Sequence, residues 1–265
     1  MDLSGAVEQN LERADSLLGE AAQASATLAL LPELFPFPWF PASESAEHFG
    51  WAEAGGGAAV AAAAAMARRH GLTVVVPTYD LDVEHGIRYN TTYVVAPTGA
   101  VLGRYRKNHI PYHPGWYEKY YYEPGNLGFP VFVHQGLRFG IQTCWDNLFP
   151  EGSRLLGLAG VHLILAPRGT GDQSLARWRT ALAANALANN CYVATVNRTG
   201  LEGGQWRFGG DSALFDPNGT VVAEATKPNQ VVVATVDKAL ADASRAAWPF
   251  RDDRRPTLYQ DLSRG

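Results

Sequence analysis

The chain has 265 residues, 46% of them hydrophobic and 18% charged, with a formal net charge of −4. That is enough apolar material for one large α/β domain, and it excludes an intrinsically disordered chain. The mild, dispersed acidity argues against nucleic acid or an anionic membrane as the main partner, and two cysteines are too few for a disulfide-stapled scaffold.

The opening stretch, "MDLSGAVEQNLERADSLL", carries acids and lacks an apolar signal-peptide core. From Val7 the apolar positions Leu11, Ala14, Leu17, Leu18 and Ala21 keep a helical period. "ATLALLPE" (26–33) reads as a buried strand stopped by Pro32, and an aromatic, proline-rich loop follows. An alanine-rich helix spans about 57–70 and ends at Gly71, a favourable residue just past a helix C-terminus. Its apolar run is too short to span a bilayer. With Cys144 and Cys191 read as reduced thiols, the expectation is a cytoplasmic protein without membrane or nucleic-acid partners. The three sequons, at Asn90, Asn197 and Asn218, then carry no weight.

"LTVVVPTY" is the next buried strand, and residues 90–107 read as two strands joined by the turn "PTGA". A tyrosine-rich loop (108–128) leads to a second hairpin, "PVFVHQGLRFGIQTC", with "HQG" as its turn. A helix from about Glu151, the strand "VHLILAP" (161–167) and a helix over 174–189 follow. "CYVATVN", "SALFDPNGTVVAEA" and "QVVVATVD" supply the last strands. No repeat or linker interrupts the run, which predicts a single domain over 1–265 of sheets covered by helices.

Glu33, Lys107 and Cys144 each close a strand-like run and open a loop, where layered α/β folds build their sites. Singly, each has a plain explanation: a solvated strand end, a surface cation, a small buried hydrophobe. Together they permit specific chemistry. A thiol ionises near pH ~8.5, so a carboxylate base or a cation is needed to supply thiolate at neutral pH. A lysine close to both could hold the oxyanion formed when sulfur attacks a carbonyl. The seven histidines offer no convincing Cys/His spacing, and His109 and His113 are separated by Pro111, against a helical zinc pair. "AGGGAA" lacks the Lys-Ser/Thr of a phosphate loop, and no G-x-S-x-G is present.

"LALLPELF", "YRKNHIP", "EKYYYEPGN" and "GIQTCWDNLFPEGSRLLGLAGVHLILAP" resemble, in order, the signature segments of the nitrilase superfamily, the carbon–nitrogen hydrolases. The resemblance runs from about residue 7 to the closing "RDDRRPTLY". It implies a four-layer α-β-β-α sandwich, an activity needing neither metal nor organic cofactor, and a homodimer or higher homo-oligomer. By position it makes Glu33 the general base, Lys107 the oxyanion-holding lysine, Cys144 the nucleophile and Glu118 the second glutamate, with Glu123 as nearby rival. It also implies a tight strand-to-helix elbow at Cys144, with the Trp145 amide beside the developing oxyanion. The expected reaction is hydrolysis of a small amide or N-carbamoyl amine with release of ammonia. A nitrile-hydrolysing enzyme and a catalytically silent binding member are the alternatives.

Members of the superfamily open with a β-strand before the first helix, whereas this chain reaches its helix at Val7. The resemblance therefore implies either upstream coding sequence or a sheet one strand short, and predicts that a longer polypeptide would be better behaved. Arg168, in the loop after "HLILAP", is a candidate for pairing a substrate carboxylate. Its alternative is an internal ion pair with Asp146 or Asp172. Trp39, Phe40, Trp116, Tyr117, Tyr120 and Trp206 either line an apolar pocket or belong to the core or a subunit interface. Cys191 reads as inert packing.

Overall fold

The apolar period that begins at Val7 becomes helix α1 (Val7–Gln23), which turns Ala14, Leu18 and Ala21 inward. In this computed structural model, which describes residues 1–263, α1 leads into β1 (Leu28–Leu30). A two-residue strand, β2 (Glu53–Ala54), then precedes helix α2 (Gly57–His70). Gly71 ends α2 at φ 68°, a left-handed conformation that glycine adopts without a Cβ clash. The strands β3 (Thr73–Asp82), β4 (Ile87–Val95) and β5 (Val101–Arg106) form an antiparallel meander. β1 and β2 both pair with β3 in parallel, completing the first sheet.

The second sheet starts with the hairpin β6 (Phe132–His134) and β7 (Leu137–Ile141). Helix α3 (Pro150–Leu158) then crosses to β8 (Leu163–Arg168), and helix α4 (Leu175–Asn189) crosses to β9 (Tyr192–Asn197). β7, β8 and β9 are parallel neighbours, as such crossovers require. A separate hairpin, β10 (Thr199–Glu202) and β11 (Trp206–Gly209), interrupts the sheet. The strands β12 (Ala213–Phe215) and β13 (Val221–Glu224) then finish it in the order β13-β12-β9-β8-β7-β6. Helix α5 (Lys238–Ala247) follows.

Strand periodicity explains the stacking. Along β3, Val74 and Val76 face Leu18, Val60 and Met66 of α1 and α2. Val75 points the other way and joins Val94 and Tyr105 against Phe139, Leu163 and Leu165 of the second sheet. On the far side of that sheet Ile164 and Val193 pack against Leu156 of α3 and Leu182 and Ala186 of α4. The layers are therefore α-β-β-α. Each fully buried leucine or valine contributes roughly 1.5–3 kcal/mol of burial to this stack.

Three local expectations change. "QVVVATVD" (230–237) is not a strand: among the described residues no neighbour pairs with it and most of it is exposed, so β-propensity has no ladder to act through. The β10–β11 hairpin and α5 were not anticipated. The residues ahead of α1 form no strand, but Asp2 makes one parallel bridge to Thr199 and Leu3 is fully buried.

Candidate active site

Three strand ends deliver the chemistry. Glu33 lies three residues beyond β1 and is followed by Leu34 at φ 56°, Lys107 directly follows β5, and Cys144 opens a 3₁₀ helix (Cys144–Leu148) shortly after β7. Glu118 comes from a short 3₁₀ turn (Glu118–Tyr120) in the tyrosine-rich loop. All four side chains are buried, none more than 1% exposed. Lys107 Nζ lies 2.8 Å from Glu33 Oε1 and 2.6 Å from Glu118 Oε2, so it donates to both carboxylates. Asn90 Nδ2 donates to Glu33 Oε1 (2.9 Å) and the Gly169 amide to Glu33 Oε2 (2.8 Å). Arg198 fixes the Glu33 backbone carbonyl at 2.9 Å.

One ammonium between two carboxylates cannot neutralise both. Burial, reinforced by the neighbouring Glu33 charge and opposed by Lys107, pushes Glu118 up to about 8. Burial alone would lower Lys107, but Glu118 and Glu33 outweigh it and hold the lysine above its ordinary range. Cys144 is pushed well above the usual thiol range by burial and then by Glu33, against the pull of Lys107 and the Gly169 amide. Burial and the Glu33 charge thus both oppose ionisation of the thiol, and Lys107 and the Gly169 amide favour it.

The elbow itself is strained. Cys144 sits at φ 48°, which costs a non-glycine residue about 1 kcal/mol or more. Asp146 holds it there. Its fully buried carboxylate accepts from Tyr105 Oη (2.6 Å), the Thr143 amide (3.0 Å) and the His109 amide (2.9 Å), and lies 2.8 Å from His109 Nδ1.

The carbon–nitrogen hydrolase family model matches residues 3–246. The chain belongs to the carbon–nitrogen hydrolase family. This hydrolase is 32% identical to N-carbamoylputrescine amidase of Solanum lycopersicum, over 97% of this chain and 90% of that protein. It is 29% identical to the citrullinase of Francisella tularensis subsp. tularensis, over 97% and 93%. A carbon–nitrogen hydrolase structure from Helicobacter pylori superposes with TM-score 0.89 at 28% identity, covering 98% of this chain and 95% of that one.

In this carbon–nitrogen hydrolase Glu118 joins the lysine, while its rival Glu123 is exposed at the mouth of a cleft of ≈ 520 Å³. Trp145 lines that cleft together with Ile110, Tyr122 and Phe149. Arg168 does not face it. Its guanidinium is 1% exposed and donates to Thr195 Oγ1 (3.0 Å), Thr170 Oγ1 (2.5 Å) and Asp211 Oδ2 (3.1 Å). Burial pulls it down to about 10 despite Asp211. The internal partner is thus Asp211, rather than Asp146 or Asp172. The aromatic group divides similarly. Trp39, Phe40 and Trp116 are core residues, with the Trp39 and Trp116 indoles donating to the Gly115 and Gly169 carbonyls. Trp206 packs at their edge, Tyr117 is half-buried and Tyr120 exposed. Among the described residues no cluster of three or more His, Cys, Asp or Glu could hold a metal.

Asn90, Gly169, Asp146 and Arg198 were not anticipated as parts of the site. Asn90 stood out in the sequence only as a sequon, although an asparagine inside a strand pattern is itself a sign of a buried polar partner.

Proposed function

We propose that this hydrolase uses Cys144 as nucleophile on a small amide or N-carbamoyl amine, releasing ammonia through a thioester-type intermediate. The observation that carries this reading is the buried Glu33–Lys107–Glu118 set whose charges converge on the Cys144 sulfur. Glu33 takes the thiol proton as sulfur bonds to the carbonyl carbon. The oxygen gains the electron pair and is held by Lys107 Nζ and the Trp145 N–H, which sits in the first turn of its 3₁₀ helix where backbone donors lack intrahelical partners. Collapse of that centre expels ammonia, which receives its proton from Glu33. Water, deprotonated by the same carboxylate, then displaces sulfur and restores the thiol. Glu118 orients Lys107 through its 2.6 Å contact. From an N-carbamoyl amine the second step gives a carbamic acid, which falls apart to amine and carbon dioxide.

Ammonia release from amides and N-carbamoyl amines tests this, with Cys144→Ala beside wild type. The mutant should lose turnover by at least about 10³-fold while keeping its melting temperature within a few degrees. A folded mutant with turnover near wild type would sink the assignment.

The same reading includes a homodimer in the cytoplasm. Leu155 and Leu158 of α3 and Leu187 of α4 are about half exposed on the outer helical layer, and Leu258 and Leu262 near the C-terminus are more so. Both cysteines are free and buried, which fits a reducing compartment. Sedimentation velocity should give twice the chain mass at micromolar concentration; a monomer there would count against the dimer.

A further inference from the structure

The cleft lined by Trp145, the residue after Cys144, carries two charges that the mechanism does not use. Its walls are apolar or aromatic: Ile110, Tyr122, Trp145 and Phe149, with His109 stacked on Phe149 at 3.8 Å between ring centres. Two observations connect it to the reacting sulfur. Trp145 is the residue after the nucleophile. Tyr122 is 4% exposed, its hydroxyl has no hydrogen-bond partner among the described residues, and Glu118, Glu33 and Cys144 all act on it electrostatically. At the mouth of the same cleft stand Lys119 and Glu123, both exposed. Neither head group has an ion-pair or hydrogen-bond partner among the described residues. An unpaired cation and an unpaired anion on one cleft present a cationic substrate end with attraction from Glu123 and repulsion from Lys119, and an anionic end with the reverse. Only an end that carries both charges satisfies both.

We propose that Lys119 and Glu123 form a two-charge rim that selects N-carbamoyl substrates whose far end is a zwitterionic α-amino acid. Glu123 accepts from the ammonium and Lys119 donates to the carboxylate, while the apolar walls pass the spacer down to Cys144. The inference rests on the reading of Cys144 as the nucleophile and narrows the substrate class of that site.

Four ureido probes with spacers of similar length separate the possibilities: citrulline (both charges), N-carbamoylputrescine (cation), 4-ureidobutyrate (anion) and butylurea (neither). For wild type, kcat/KM should be highest for citrulline. Lys119→Gln should lower the ratio of citrulline to N-carbamoylputrescine by roughly 5-fold, and Glu123→Gln should lower the ratio of citrulline to 4-ureidobutyrate by a similar factor, the scale of one exposed charge contact. Both drops should appear in KM and shrink at high salt. Ratios that stay within about two-fold in both folded variants would overturn the rim while leaving the nucleophile in place. So would a wild type that cleaves simple amides but none of the four probes. Silence on amides and ureas alike would take down the reading of the site itself.

Discussion

At the scale of single residues, the site is a problem in charge balance. Two carboxylates share the Lys107 ammonium in a place where none of the three is more than 1% exposed. The lowest-energy arrangement leaves one carboxyl protonated, and the contacts assign that proton to Glu118, pushed up to about 8 by burial and by Glu33. The consequence for stability has a definite sign. A carboxyl raised from about 4.3 when unfolded binds its proton more tightly in the native state, so its stabilising contribution is complete below that value and is lost as pH rises towards 8. Relative to Glu118→Gln, wild type should therefore lose stability progressively from about pH 5 to about pH 8 and then level off. Urea unfolding of both proteins across that range measures the difference; a constant gap would mean that Glu118 stays ionised throughout. The arrangement also explains why Cys144 resists ionisation: burial disfavours a thiolate, which would also add an anion beside Glu33 where the one ammonium is already balanced.

At the scale of elements, the elbow after β7 carries the most consequential geometry. Cys144 sits at φ 48° in an elbow braced by the contacts of Asp146 with Tyr105, Thr143 and His109 and by Asn147 Nδ2, which donates to the Cys144 carbonyl at 3.0 Å. Asp146→Asn would turn an amide donor towards groups that already donate. It should cost about 2–4 kcal/mol in unfolding free energy, the scale for leaving buried donors unsatisfied beside a lost charge. On the proposed mechanism it should also lower kcat by more than KM rises, because the Cys144 sulfur would be misaimed rather than the cleft closed. Unchanged kcat in a destabilised mutant would show that the elbow holds its shape without Asp146. The same elements show what a sequence can disclose. Glu33, Lys107 and Cys144 were legible because each ends an apolar run within a recognisable segment; strand and helix periods pointed only to sheets covered by helices, and the α-β-β-α order came from the resemblance to the nitrilase superfamily. The supporting contacts were not, since Asn90, Gly169 and Arg198 reach Glu33 across 57, 136 and 165 residues of chain. The partner of Arg168 was not legible, because an arginine at a strand end looks alike whether it meets substrate or an internal acid such as Asp211. "QVVVATVD" misled because strand propensity says nothing about whether a partner strand is within reach.

At the scale of the whole molecule, the two sheets are tied across the site by Arg198, which leaves β9 and reaches the loop after β1. Its guanidinium is fully buried and grips Glu202 with two bonds of 2.9 and 2.6 Å, while donating to the carbonyls of Glu33 and Phe37. Glu202 in turn accepts from the Trp39 amide at 2.7 Å. Arg198→Met should cost about 3–5 kcal/mol by stranding the Glu202 carboxylate, and the double replacement Arg198→Met with Glu202→Met should recover a good part of that loss. Urea titration of the two variants decides the matter, and a double mutant worse than the single would show that Arg198 acts mainly on the Glu33 loop. The tie has a further consequence for how the protein comes into being. Glu33 is translated early, yet the guanidinium that steadies its backbone is specified three-quarters of the way along the chain. A polypeptide still threaded through the ribosome at that point can hold a folded first sheet but not a working centre. Competence for chemistry therefore arrives late in synthesis, and nascent or prematurely terminated chains are unable to consume substrate.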